Sequence, residues 1–544
     1  MIKRILSVFI VIILLVCTFS ACSKEEEINV IYPIYSDPEC LDPQIAETEA
    51  AILITRNCME GLVRLGENGK ILPGVADSWK ISPDGKTYIF HIRENAKWKQ
   101  LNSHVEVVGD GVDKNNFNYK VTANDCAFGL IRAIRKETKA KNAYLLFCIK
   151  NAMKVNAGLM NESELGIRAS GDTLTITLER ANPDFIRILT YPMCMPCSRE
   201  FFEATGARYG LDVKYTLCNG PFYVALWYKD SSLTFYSSDD YRGDKKTSVS
   251  AMYFYVNNDD EQIIKKFNQG DYNTIPVAPA LADKVDDSND VIKASQKNVV
   301  SGLAFNSSDI NLANENIRKA LVSAIDTGNL DEKTEYAGGV VPDSCRWAGK
   351  SYRACAGSVS QPQFNASNAV NLFKSGLEEA GLKKVDLEIF CTAEQRKDMI
   401  KIIQNWQKLF GFSINVTTVV KTREEIDEAV ANGEYQIAVS TIQANDGSPI
   451  KFLEKFCTDN EENVFSFSNE SYDLLINKCL HVYEGADILS GMKAAERFLI
   501  TDGVFYPLYI SETFFVYRDE LKNAYPVANV FDIDFTARVD KNAE

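Results

Sequence analysis

The stretch VDLEIFCTAEQRKDMIKIIQNWQKLFGFSINVTTVVKTREEIDEAVANGEYQIAVST, residues 385–441, decides the fold class. Three of its segments are rich in β-branched or apolar residues and short enough to be strands, and two segments with apolar residues at helical spacing separate them. The strands are residues 385–391, 413–420 and 435–441, and the helices are residues 395–410 and 423–431. Strands and helices that alternate in this order form a parallel or mixed sheet with crossover helices, which predicts an α/β protein.

Segments further toward the N-terminus show the same mixture of elements. Residues 87–93 (TYIFHIR) and 173–178 (TLTITL) alternate in character, which predicts half-buried strands. Residues 46–62, 315–325 and 365–380 carry apolar residues at helical spacing. An all-helical or all-strand class is therefore excluded.

Length and charge exclude some functional classes. A chain of 544 residues is too long for one hydrophobic core, so two or three lobes are expected. The formal net charge is -15, and the acidic residues are spread along the chain. Nucleic-acid binding requires a basic face that displaces counterions from phosphates, and the sequence shows none.

The first residues have the pattern of a secretion signal. A basic pair precedes the apolar run 8–19 (VFIVIILLVCTF), which is too short to span a bilayer. Small residues then lead into Cys22, which resembles a bacterial lipobox; an ordinary signal peptide with an incidental cysteine is the alternative. The sequence thus predicts a signal peptide over 1–21, a lipid on Cys22, a tether over 22–27, and a location on the outer face of the cytoplasmic membrane.

Of the 14 cysteines, 12 remain after Cys17 leaves with the signal peptide and Cys22 takes the lipid. Outside the cytoplasm this number is enough for disulfides. A redox or zinc role for the CMPC motif at 194–197 requires partners, but there is no second such motif and there are only three histidines. Most of the 12 are therefore expected to be buried as small apolar residues.

No catalytic motif stands out in the sequence. A GxSxG elbow, an HExxH helix and a phosphate-binding GxxxxGK[ST] loop are all absent. We therefore expect a binding protein with no enzyme activity, no cofactor and no metal.

Short motifs punctuate the chain from residue 41 to residue 509. They are LDP (41–43), MEGLV (59–63), LPGVADSW (72–79), DGKTYIFHIR (84–93), VTAND (121–125), NGPF (219–222), NIRKAL (316–321), AID (324–326), AAE (494–496) and YPLY (506–509). In order and spacing they resemble the bacterial family 5 solute-binding proteins, the oligopeptide- and dipeptide-binding group. The resemblance covers nearly the whole mature chain.

The resemblance implies a type II periplasmic-binding-protein-like fold. In this fold two hinged α/β lobes with mixed sheets close over the ligand, and an extra domain lies beside the first lobe. The implied boundaries are 28–72, 185–298 and 513–544 for lobe I, 73–184 for the extra domain, and 299–512 for lobe II.

One departure from the family pattern is an insert at residues 100–120, where the family has a short turn. Asp110, Asp113 and Asn115 suggest a calcium site, but the spacing of an EF-hand loop is absent. We therefore expect a lengthened surface hairpin.

The resemblance places the peptide ammonium near the segment TIQANDGSP, residues 441–449. A zwitterionic peptide requires a carboxylate for its ammonium and basic groups for its carboxylate. The implied ligand-binding residues are Ala444, Asn445 and Asp446, with Asn445 at the anchoring position and Asp446 one residue later. Three explanations stay open: Asp446 takes over the anchoring, the N-terminus is recognised differently, or Asp446 only caps a turn.

Asp37, Tyr144 and Trp406 are further ligand-binding candidates by resemblance. Asp37 precedes Pro38, so starting a turn is its alternative role. Trp406 lies on an amphipathic helix, where core packing is the alternative.

The predicted function is that of a monomeric, lipid-anchored component of an ABC importer, which captures oligopeptides and delivers them to permease and ATPase subunits. One alternative keeps the fold but changes the ligand to an oligosaccharide, a nickel chelate or a signalling peptide. A secreted hydrolase is a third hypothesis, which no motif supports.

Overall fold

The structure is a computed structural model. It describes residues 28–108, 119–243, 247–330, 335–358, 364–521, 524–526 and 533–535. The predicted signal peptide, Cys22 and the tether lie outside the described residues, as do Asp110, Asp113 and Asn115.

Three sheets of four or more strands organise the described residues. Neighbouring strands in the first sheet are Ile28–Ile34, Val249–Val256, Ser232–Ser237 and Phe222–Tyr228. Those of the second sheet are Ala76–Ile81, Thr87–Ile92, Thr173–Thr177 and Ile167–Ser170. Those of the third sheet are Thr274–Val277, Phe505–Arg518, Val291–Phe305, Ile437–Gln443, Val385–Cys391 and Ile414–Val420.

The stretch that decides the fold class forms the edge of the third sheet. Val385–Cys391 pairs in parallel with Ile414–Val420 on one side and with Ile437–Gln443 on the other. Ile437–Gln443 in turn pairs antiparallel with Val291–Phe305. The sheet is therefore mixed, and the predicted α/β class with mixed sheets is confirmed.

Helices cover the sheets and begin and end at recognisable signals. Thr122 and Thr422 each accept a hydrogen bond from the third helical residue, whose carboxylate bonds back in a capping box. Gly381 ends a helix in the left-handed region, with a φ of 67°. The α-helices of seven or more residues in the described part are Glu49–Cys58, Asn102–Val108, Ala123–Ile134, Arg199–Thr205, Asp260–Gln269, Glu315–Ser323, Ala366–Ala380, Arg396–Phe410, Arg423–Ala431, Glu470–His481 and Ala486–Thr501.

Two long strands, Val291–Phe305 and Phe505–Arg518, connect separate hydrophobic cores. Leu508 packs in the core around the third sheet, whereas Phe515 packs in the core around the first sheet. The register of the pair shifts between Gln296 and Val299. The predicted boundaries of lobes I and II, after residues 298 and 512, fall at this irregularity, and the domain division itself stays a prediction.

The insert at residues 100–120 differs from the sequence-based expectation in its first part. Asn102–Val108 is a helix rather than one arm of a hairpin, and residues 109–118 lie outside the described residues. His104 on this helix is buried with 1% exposure, and its ring contacts the edge of Phe201 at 5.3 Å between centroids. The burial of His104 therefore attaches this helix to the neighbouring core.

The described cysteines have free thiols, and all but Cys355 and Cys457 are buried. Burial raises the pKa of Cys148 to about 11, which favours the neutral thiol. The expectation that most of these cysteines pack as small apolar residues is therefore confirmed. Within the described part of the chain, no helix has the length and apolar character required to cross a membrane.

Candidate functional site

The loop after the strand Ile437–Gln443 carries the candidates Ala444, Asn445 and Asp446. The carboxylate of Asp446 accepts a hydrogen bond from the Ser448 main-chain N–H at 2.8 Å, and Gly447 has a φ of 69°. A left-handed glycine and a side chain bonded two residues on produce a tight turn. The helix Pro449–Glu454 begins directly after it. The capping role that the sequence left open for Asp446 is thus present.

The carboxylate of Asp446 also holds two side chains. Its Oδ2 lies 2.7 Å from Lys451 Nζ and accepts a hydrogen bond from Tyr191 OH at 2.9 Å. Burial would raise the pKa of Asp446, but Lys451 and Arg187 outweigh burial and lower it to about 2. Burial also opposes the charge of Lys451, whose pKa Asp446 raises above its usual value. Both groups are therefore charged at neutral pH.

Tyr191 connects this ion pair to a second one. Arg187 donates to Tyr191 OH at 3.3 Å, and its Nε donates to Asp184 Oδ2 at 2.7 Å. We call Asp184, Arg187, Tyr191, Asp446 and Lys451 the interlobe network, because it joins the segment 184–191 to the loop of the third sheet. Its two carboxylates and two cations leave no net charge.

A second bridge lies beside this network. Tyr144 OH donates to Glu454 Oε2 at 2.6 Å, and Glu454 ends the helix that carries Lys451. Further away, Lys86 forms an ion pair with Glu484 at 3.0 Å, and Arg180 donates to the His481 carbonyl at 2.8 Å. Polar contacts thus join the elements around the second sheet to the core around the third sheet.

A cavity of about 260 Å³ adjoins the interlobe network and includes Asp446 and Arg187 in its wall. Arg346 lies in the same wall, and its main-chain N–H donates to the Gly447 carbonyl at 2.9 Å. The strand Val291–Phe305 contributes residues 295–297 at its irregularity. The cavity therefore lies between the irregular part of the strand Val291–Phe305 and the Asp446 loop.

The polar groups in this wall are only partly satisfied. Gln296 Oε1 and Ser344 Oγ are buried and have no hydrogen-bond partner among the described residues. The Lys297 ammonium lies 2.6 Å from Glu335. Burial raises the pKa of Asp343, while Arg353 and Lys297 partly offset burial. Because buried polar groups normally have partners, this wall suits a polar ligand.

Arg346 is a cation without a partner among the described residues of this wall. Its guanidinium forms neither a hydrogen bond nor an ion pair with any side chain in the described ranges, and burial lowers its pKa. Guanidinium groups bind carboxylates through paired, charge-assisted hydrogen bonds. Arg346 is therefore poised for an anionic group.

A second cavity, of about 160 Å³, lies on the other side of Asp446. Ala444, Asn445 and Asp446 line it, together with Lys451 and the start of the helix Glu49–Cys58. The structure therefore brings these three sequence candidates to the wall of a cavity between the first-sheet core and the third-sheet core.

The other sequence candidates line neither of the two cavities. Tyr144 reaches the neighbourhood only through Glu454. Asp37 accepts a hydrogen bond from Trp227 Nε1 at 2.9 Å and lies 3.9 Å from Lys229, and it lines neither cavity. The position of Trp406 differs from the expectation that it lines the ligand site.

Trp406 does not reach the cleft. Its side chain is fully buried in the core around the third sheet, and its indole N–H donates to the Leu321 carbonyl at 2.9 Å. The helix Arg396–Phe410 turns this face toward the sheet, so the core role that the sequence left open is the observed one.

Sequence reasoning missed Lys451, Tyr191, Arg187 and Arg346. Lys451 could have been considered from the sequence, because it is a basic residue five positions after Asp446 and two after Pro449. Tyr191, Arg187 and Arg346 are distant from the loop along the chain, and no motif in their own segments marks them.

The family model described as "Bacterial extracellular solute-binding proteins, family 5 Middle" matches residues 70–463. The chain belongs to this family. The predicted family membership and extracytoplasmic location are thereby confirmed, and the family's description is that of solute-binding proteins rather than enzymes.

Two relatives are named for different ligands. The dipeptide-binding protein DppE of Bacillus subtilis is 27% identical over 503 residues, covering 90% of this chain and 87% of that protein. The probable deoxycholate-binding periplasmic protein YgiS of Escherichia coli is 24% identical over 490 residues, covering 88% of this chain and 87% of that protein.

A solved relative agrees in fold. Peptide-bound OppA of Listeria monocytogenes superimposes with a TM-score of 0.62 at 24% identity, covering 94% of this chain and all of that chain. The type II periplasmic-binding-protein-like fold implied by the sequence is therefore confirmed.

Proposed function

We propose that this protein is the extracytoplasmic binding component of an ABC importer and that it captures oligopeptides between its two lobes. The relatives named for peptides support this ligand class. A peptide would bridge the two lobes and favour their closure, as in other hinged binding proteins. Permease and ATPase subunits would then receive the peptide from the closed form.

The observation that carries this proposal is the unpaired guanidinium of Arg346 in a wall with unsatisfied polar groups. Gln296 and Ser344 contribute those groups in the same cavity. A peptide provides a terminal carboxylate for a guanidinium and main-chain amides for isolated hydroxyl and amide oxygens. We assign Ala444, Asn445 and Asp446 to the ligand-facing wall as well.

Thermal unfolding of the purified mature protein with a peptide library tests this function. Peptides of two to eight residues should raise the melting temperature, because a ligand that binds only the folded state stabilises it. Oligosaccharides, a nickel chelate and deoxycholate serve as competing ligand classes. Stabilisation by one of these, with every peptide inactive, would reject peptide capture while leaving the fold assignment intact.

We also propose that Cys22 carries a lipid that retains the protein at the outer face of the membrane. Val8–Phe19 provides the apolar part of the signal, and small residues precede Cys22. Metabolic labelling with palmitate should then mark the wild type but not Cys22→Ser. Absence of label in the wild type would refute lipid anchoring.

A further inference from the structure

Asp446 faces both cavities, yet its carboxylate is already used by the protein. Lys451 Nζ lies 2.7 Å from Oδ2, Tyr191 OH donates to the same oxygen at 2.9 Å, and the Ser448 N–H donates to Oδ1 at 2.8 Å. The Asp446 and Lys451 side chains are only 20% and 25% exposed. This carboxylate is therefore held by three donors in a largely buried place.

The Lys451 ammonium has the same chemistry as the α-ammonium of a peptide. Both are compact cations with three N–H donors, and both bind a carboxylate at this distance. A ligand ammonium that approached Asp446 would have to displace Lys451 or lie next to it, where like charges repel. The helix Pro449–Glu454 holds Lys451 within reach of the loop.

Within the interlobe network, each carboxylate is paired with a cation of the network. Arg187 is paired with Asp184 at 2.7 Å and donates to Tyr191, which in turn donates to Asp446. The interlobe network is thus electroneutral without a ligand. An added ammonium would unbalance it, whereas an uncharged N-terminus would not.

We propose that Lys451 is a specificity-determining residue. Its ammonium occupies the position beside Asp446 that the α-ammonium of a peptide would take, so a free α-amino group adds little to peptide affinity. This inference rests on the proposed peptide-binding function. It concerns which end of a peptide is recognised by charge, and it makes N-terminally blocked peptides acceptable ligands.

Rescue of a truncated lysine tests the ammonium place without any peptide. Lys451→Ala removes the propylammonium portion of the side chain, so n-propylammonium chloride should raise the melting temperature of Lys451→Ala by about 2 °C or more. It should not stabilise the wild type or Lys451→Ala combined with Asp446→Asn. Potassium chloride at equal ionic strength is the salt control. Equal responses of the three proteins would overturn the proposal.

Peptide pairs test the consequence for specificity. Isothermal titration would compare the free and N-acetylated forms of a peptide that stabilises the wild type. Lys451→Met should increase the preference for the free form at least about tenfold, because it releases Asp446. Lys451→Arg keeps the charge and should not change the preference.

Lys284→Met is the control for the loss of a paired lysine. Lys284 pairs with Glu261 at 2.6 Å and lines neither cavity, so its removal should leave the preference unchanged. An unchanged preference in Lys451→Met would overturn the inference while peptide binding stands. If no peptide stabilises the wild type, the proposed function fails, and the propylammonium experiment still decides whether Lys451 occupies an ammonium place.

Discussion

Removing the Arg346 guanidinium tests the proposed binding mode. This group lines the larger cavity and forms no ion pair with the described residues, so a ligand carboxylate would be its first anionic partner. Hydrogen bonds to charged groups contribute about 1.5–3 kcal/mol, and 1.4 kcal/mol corresponds to about tenfold in affinity. Arg346→Met should therefore weaken peptide binding by about 10- to 150-fold.

The stability of the unliganded protein should hardly change in Arg346→Met. The guanidinium makes no side-chain hydrogen bond to the described residues, so its loss should alter the free energy of unfolding by no more than about 0.5 kcal/mol. Isothermal titration measures the affinity, and urea unfolding measures the stability of the same preparation.

Lys297→Met is the control within the same wall. The Lys297 ammonium lies 2.6 Å from both carboxylate oxygens of Glu335, so this cation is already compensated. Its removal should weaken peptide binding by less than about threefold. The reasoning from unpaired charge is refuted if Lys297→Met weakens binding as much as Arg346→Met, or if Arg346→Met binds within about twofold of the wild type.

Three further predictions concern stability. Trp406→Ala should lower the free energy of unfolding by about 3–5 kcal/mol in urea and leave peptide affinity unchanged, because Trp406 is buried in the core; a selective loss of affinity would contradict this. Glu496→Ala should cost about 3–5 kcal/mol, since fully buried Glu496 holds Arg353 at 2.6 Å, and a loss below about 1 kcal/mol would contradict this. Burial lowers the pKa of His104 from 6.5 to about 4. The unfolded chain therefore takes up a proton first, and stability falls as the pH decreases between these values. His104→Gln should flatten that decline between pH 7 and pH 4.5, and an unchanged slope would argue against this.

The deciding stretch could be predicted because its local patterns and its tertiary role agree. The strand Val385–Cys391 alternates buried and exposed residues almost perfectly, and the helix Arg396–Phe410 turns one apolar face to the sheet. Neither element depends on a distant partner to choose between helix and strand. Local periodicity was therefore sufficient there.

Element ends were harder to predict where distant residues decide them. The helix expected over 46–62 covers only Glu49–Cys58. After it the main chain is bonded to Asn219, whose side chain accepts from the Glu60 N–H at 3.0 Å and donates to the Glu60 carbonyl at 2.9 Å. Apolar spacing continues past Cys58, but these tertiary hydrogen bonds replace those of the helix.

One part of the candidate site could be predicted from local sequence, and another part could not. Local turn chemistry and the resemblance located the loop Ala444–Asp446, and the structure places that loop in the cavity wall. The partners of Asp446 come from both near and far: Lys451 follows on the next helix, while Tyr191 belongs to a segment 255 residues earlier in the chain. A pairing across that separation depends on how the lobes pack, which no local pattern encodes.

The charges in the cleft lead to opposite expectations for the two ends of a peptide. Asp446 is neutralised by Lys451, whereas Arg346 has no carboxylate partner in the described part of the chain. N-acetylation would remove an ammonium that Asp446 does not require, while C-terminal amidation would remove the anion that Arg346 lacks. On the wild-type protein, amidation should weaken binding by about tenfold or more, and acetylation by less than about threefold.

Titrating the free, acetylated and amidated forms of one peptide against the same preparation measures both effects, so differences in folding stability between variants do not enter. Equal losses at the two ends would mean that the internal pairing of Asp446 does not govern recognition. A larger loss on acetylation would mean that a ligand ammonium displaces Lys451. A larger loss on amidation would support recognition of the peptide carboxylate by Arg346. Asp446, whose charge Lys451 balances, would then contribute little to the orientation of the peptide.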